Sequence, residues 1–215
     1  MNKIRSLLWY KTKLFMKNTT TKNLKWTLLL FITLASLNVT SQTSFELPSG
    51  YQTYKDYDGN EEREQGDFDG DGTNDLVILC SSEEEGTIIV VYLTSLYFVD
   101  HSYFWFPWDS EMNTFTYENN VLTIDAIYGT GRFGTTLKLK YYTKLENMKL
   151  IGYDEWQLPD YDQNGGFTKS INLNTNEYQV NDGVKKKINI DAITLANIEQ
   201  YFDYLSQVGQ DEIDN

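Results

Sequence analysis

Residues 135–153, TTLKLKYYTKLENMKLIGY, carry the plainest periodicity in the chain. Leu137, Leu139 and Tyr141 alternate with Lys138, Lys140 and Tyr142, the two-residue period of a strand with one wet face. Met148, Leu150 and Ile151 mark the strand that returns beside it. Upstream, MNTFTYENNVLTIDAIY (112–128) breaks at Asn119-Asn120, a dipeptide that tolerates left-handed backbone angles and so predicts a hairpin. Downstream, after a polar turn at 160–166, FTKSINLNTNEYQV (167–180) predicts another, turning at Asn174-Thr175-Asn176. DLVILCS (75–81) and GTIIVVYLTS (86–95) are β-branched and apolar throughout, as two buried strands joined by the solvated turn Ser82-Glu83-Glu84-Glu85 would be.

These segments predict about eight or nine strands with no βαβ rhythm. Residues 43–66 read as short extended pieces in a loop region, and the sequence GTGRFG (129–134) as a hairpin connection, since no helix follows it. Leu195, Ile198, Phe202 and Leu205 recur at spacings of three and four, predicting one helix of about four turns with Asp191 as its cap and a frayed end at 209–215. The expected fold is mainly β: a single antiparallel meander or sandwich-like domain with one C-terminal α-helix.

The first 41 residues differ in kind. Seven basic residues (Lys3, Arg5, Lys11, Lys13, Lys17, Lys22, Lys25) precede any acidic one, and WTLLLFITLASL (26–37) is an apolar run of 12 residues. That is short of the roughly 20 residues a membrane span needs, and fits a secretory signal cleaved after Ser41. Met16 opens a more ordinary signal of the same kind. The expected organisation is a signal at 1–41, a β-rich domain at 42–190, and a helix with an acidic tail at 191–215, in a secreted or periplasmic protein.

Taking those seven from the 18 basic residues leaves 11 against all 31 acidic ones, a formal charge of −20. Such a surface repels phosphates, which argues against a nucleic-acid partner. The lone Cys80 has no disulfide partner and, ending the run LVILC, reads as a buried small hydrophobe.

The segment GDFDGDGTNDLVIL (66–79) concentrates the chemistry. Counted from Asp67, acidic residues fall at positions 1, 3, 5 and 9, so a tight loop aims their oxygens inward. Ca²⁺ takes six to eight oxygen ligands. Asp67, Asp69 and Asp71 offer carboxylates, Thr73 a backbone carbonyl, and Asp75 a further carboxylate or water-held contact, with Gly72 permitting the sharp turn. Position 12 is Ile78 rather than a glutamate, so the segment is not an EF-hand. It resembles the D-x-D-G-D-G-x-x-D calcium loops of FG-GAP and VCBS-type repeats, matching at Asp67, Asp69, Gly70, Asp71, Gly72 and Asp75. That resemblance implies a calcium-binding turn that orders a strand. A single copy argues against a propeller, and the single loop followed by a meander with LIGYDEW (150–156) and a SINLNTNEY hairpin (170–178) resembles small exported bacterial proteins of unknown function.

No catalytic residue is assigned. The only histidine, His101, has no triad partner in its own tripeptide, and one His with one Cys cannot make a zinc site. Tyr103, Trp105 and Trp108, with Trp156 elsewhere, are candidates for a platform that binds a glycan or protein ligand, the alternative being that they fill the core. The functional expectation is a calcium-stabilised, monomeric, non-catalytic binding protein without a membrane span once the signal is removed. An inhibitor or immunity-type protein acting on a basic partner, and a hydrolase using paired carboxylates, are the alternatives.

Overall fold

Strands without alternation need cover on both faces, and the centre of the first sheet has it. The computed structural model describes residues 45–95, 99–105, 112–160 and 165–213, with the side chains of Trp105 and Met112 excepted. The signal expected at 1–41 and the candidate Trp108 lie outside the described residues. All that is described belongs to one compact unit beginning at Phe45. It contains β1 (Gln52–Thr53), β2 (Arg63–Gly66), β3 (Asp75–Ser82), β4 (Gly86–Thr94) and β5 (Val99–Trp105) in a first antiparallel sheet. β3 pairs with β4 on one side, and β1 and β2 share its other edge end to end. The region expected to be a loop is thus, from 52 to 66, more than that, because β3 exposes an edge that these two short strands complete.

The remaining strands form a seven-stranded meander: β6 (Met112–Glu118), β7 (Val121–Tyr128), β8 (Phe133–Tyr142), β9 (Asn147–Gln157), β10 (Phe167–Asn172), β11 (Glu177–Val180) and β12 (Lys186–Lys187). The β6–β7 turn falls at Asn119 and Asn120, both with positive φ (54° and 60°), as the dipeptide predicts. The fold is mainly β, with more strands than sequence patterning counts, since β1, β2 and β12 are too short to show a period.

One core lies between the sheets. It joins Val77, Leu79, Ile89 and Phe104 of the first sheet to Leu122, Ile124, Leu137, Leu139, Leu150 and Tyr153 of the second. The first sheet's outer face carries a second cluster, Leu76, Ile78, Cys80, Ile88, Val90 and Tyr92, covered by Phe45, Leu47 and Tyr51. The Tyr92 hydroxyl donates to the Glu46 carbonyl at 2.9 Å, pinning that cover. Cys80 is fully buried, and burial pushes its thiol up to about 11, so it packs as a hydrophobe.

β9 is longer than β10, which leaves backbone groups at Met148 and Leu150 without a ladder partner on that side. Residues 193–195 supply one: Leu195 N donates to Met148 O and the Leu150 N–H to Ile193 O. The helix therefore starts later than predicted. Ile198–Tyr201 forms a 3₁₀ turn, followed by α1 (Phe202–Gln207), then a break at Val208-Gly209 and α2 (Gln210–Ile213). Asp191 is not the cap; Asn197 precedes the first turn, and its side chain accepts from Thr194 N instead. The buried face is the predicted one, with Leu195, Ile198, Phe202 and Leu205 all in the core. The end is held rather than frayed through residue 213, where Glu212 pairs with Lys186 at 2.9 Å. Among the described residues no helix is long and apolar enough to cross a membrane.

The helix is also held by a buried cation that periodicity alone treats as polar surface. Lys169 sits at the core-facing parity of β10, between Phe167 and Ile171, with a side chain that is 0% exposed. Its ammonium pairs with Glu155 at 2.6 Å and donates to Ser206 O at 2.7 Å, satisfying a carbonyl in the last turn of α1. Burial pushes the ammonium below its usual range, and Glu155 pulls it partly back. Glu155→Ala, which strands that charge, is expected to cost about 3 kcal/mol or more, whereas Lys169→Met with Glu155→Gln is expected to cost much less. Urea unfolding of the two variants measures the contrast.

Candidate metal centre

The aspartate segment spans the connection from β2 to β3, and its geometry is imposed from three sides. Phe68 points into the core between the sheets and is 2% exposed, burial worth about 2 to 3 kcal/mol. Its ring lies 4.8 Å from that of Tyr117 on β6, whose hydroxyl donates to the Asp67 carbonyl. Gly66 makes room for this contact, since a Cβ there would fall 2.3 Å from the Tyr117 ring. The second sheet thereby grips the loop of the first.

Asp75 provides the third anchor, from inside. It is 1% exposed, and its Oδ2 accepts from Phe68 N at 2.6 Å and Asp69 N at 3.3 Å, while Oδ1 accepts from Thr94 N at 2.7 Å. Burial pushes the carboxyl up to about 6, against the pull of those amides. This residue closes the loop onto the end of β4.

Asp67, Asp69 and Asp71 are brought together, each offering a carboxylate oxygen within 4.8 Å of the others. Gly70 and Gly72, at φ 81° and 89°, give the chain the left-handed steps the turn requires. The carboxylates accept local backbone amides: Asp67 from Gly70 and Gly72, Asp69 from Asp71, and Asp71 from Thr73. The Asp69 carboxyl is raised by burial first and by the charges of Asp71 and Asp67 as well. Among the described residues no lysine or arginine forms an ion pair with the three. A set of clustered hard oxygens with uncompensated charge is chemically suited to Ca²⁺. Of the five predicted ligands, three converge, Thr73 is within the turn, and Asp75 is turned inward to the backbone. Beside the loop a cleft of about 270 Å³ opens between Asp67, Asp69, Tyr117, Lys140 and Tyr141. Tyr117, some 50 residues away in sequence, is the supporting residue that no local pattern reveals.

The aromatic candidates divide between the two sheets. Tyr103 is 55% exposed on β5, in register with Val90 on the first sheet's outer face. Trp105 ends the same strand. Trp156 lies on β9 in the second sheet, opposite Gly134 and Thr168. His101 is exposed, its ring 5.9 Å from that of Tyr92.

No family model, curated protein or solved structure matches the chain. Its functional reading therefore rests on its own residues.

Asp75→Ala removes the acceptor for three amides, two of them in buried bonds, and is expected to cost about 3 kcal/mol. Because those bonds lie within the protein, denaturant unfolding should show a similar loss with calcium and with a chelator.

Proposed function

We propose that the chain is an exported, calcium-stabilised β-domain with a non-catalytic binding role. The convergence of Asp67, Asp69 and Asp71 on one point supports it most directly. In this reading Ca²⁺ replaces the mutual repulsion of three carboxylates with attraction, and the loop it stiffens is the one that Phe68, Tyr117 and Asp75 join to both sheets. The metal is a structural clamp. Thr73 and the first three aspartates are its proposed ligands, with Asp75 acting on the loop backbone.

Export is proposed from the basic, then apolar, N-terminal 41 residues. It places the loop where calcium is near millimolar, so even a site with a dissociation constant of about 10⁻⁴ M is filled and adds about 1 to 1.5 kcal/mol. The excess negative charge of residues 42–215 favours a second reading, an inhibitor that covers a basic surface on a partner protein. Retention by an immobilised cationic protein that salt abolishes would favour it.

Thermal unfolding tests the clamp. Millimolar calcium is expected to raise the midpoint by about 3 to 5 °C over a chelator, and Asp69→Ala combined with Asp71→Ala to abolish the difference. An unchanged midpoint would remove the metal from the account.

A further inference from the structure

We infer that the outer face of the second sheet binds a neutral saccharide unit against Trp156. The inference rests on the binding role proposed above and gives that role a ligand class and a place.

The site begins with a glycine. Gly134 on β8 faces Trp156 on β9, and a Cβ at Gly134 would lie 2.3 Å from the indole Cε2. The ring can lie over the bare backbone only because nothing projects there. Beside it is a cleft of about 230 Å³ lined by Trp156, Asp154, Thr168, Ser170, Gln179 and Asn181. That volume is below the range for drug-sized ligands and suits a single ring.

Four polar side chains of the cleft, Gln179, Asn181, Asp154 and Ser170, are already held at one end. Gln179 Nε2 donates to Gly183 O at 2.9 Å, so its Oε1 is left to accept. Asn181 Oδ1 accepts from Thr168 N at 2.8 Å, so its Nδ2 is left to donate. Asp154 accepts from Ser170 Oγ at 2.5 Å and from Lys138 Nζ at 2.6 Å. An acceptor and a donor fixed beside an aromatic face match a pyranose, whose C–H face packs on the ring while its hydroxyls reach outward. Prior fixing lowers the entropy lost on binding.

Charge and topology narrow the occupant. Asp154 is paired with Lys138, and Glu155 beneath it with Lys169, so the cleft offers no unpaired cation to an anion; its third carboxylate, Asp182, is solvent-exposed and in none of the ion pairs among the described residues, which adds to the rejection of an acidic ligand. β9 and β10 have a neighbour on both sides along the cleft, and beyond Tyr178, where β12 stops covering β11, the Val180 carbonyl is taken by Gly183 N at 2.8 Å, so an extended peptide finds no continuous strand edge here to pair with. A neutral, hydroxyl-rich ring uses what the surface offers.

The test is titration of the full chain with cellohexaose, xylohexaose, maltohexaose, chitohexaose and oligogalacturonate, followed by tryptophan fluorescence and calorimetry. At least one neutral oligosaccharide should bind saturably. Trp156→Ala should weaken it about tenfold or more, Gln179→Ala should weaken it less, and calcium-dependent unfolding should be unchanged in the Gln179 variant. Binding of the uronate alone, or of none of the five, overturns the saccharide. Binding undiminished in both variants overturns the site while leaving the binding role in place. Loss of the calcium effect in the wild-type chain speaks only to the clamp.

Discussion

Strand β9 carries one residue more than β8 can match. Leu139 pairs with Leu150 and Lys138 with Gly152, leaving Ile151 as a bulge. Before it, Met148 and Leu150 face the core; after it, Tyr153 does, and the parity of everything beyond is reversed. The reversal puts Glu155 where it meets buried Lys169, and Trp156 on the wet face over Gly134. Without the extra residue, Trp156 would point at the core and Glu155 at water. The docking of α1 and the character of the outer surface both follow from this one irregularity.

A second constraint joins the sheets at the β6 edge of the meander. Phe68, Asp75 and Tyr117 surround the aspartate turn with an apolar plug, a buried acceptor and a hydroxyl from the facing sheet. Three carboxylates held this way cannot relax apart by moving the backbone, because the backbone is already bonded on both sides. A cation relieves the repulsion more easily than rearrangement does. The proposed clamp thus depends on what surrounds the loop as much as on its own aspartates.

Much of this is visible in the sequence where local rules operate. Alternation marks β8, Asn119-Asn120 fixes a hairpin, and the double burial of β3 and β4 is legible in their unbroken apolar runs. The aspartate spacing identifies the three residues that converge. The failures come from distant partners. Asp191 satisfies the local rule for a cap, yet unpaired backbone at Met148 and Leu150 draws residues 193–195 into an extended path. Asp75 has the spacing of a ligand, and what that spacing does not show is that its oxygens accept from Phe68 N and Thr94 N.

The sequence by itself determined the β class, the order of the hairpins, the apolar face of the C-terminal helix and the acidic turn, because each depends on residues within a few positions of one another. Tertiary structure alone decided the bulge at Ile151, the burial of Lys169 against Glu155, the grip of Tyr117 on the loop and the separation of Trp156 from Tyr103. These depend on which backbone groups and charges remain unsatisfied after the strands have paired, and that is known only once the strands' lengths and registers have been set against one another.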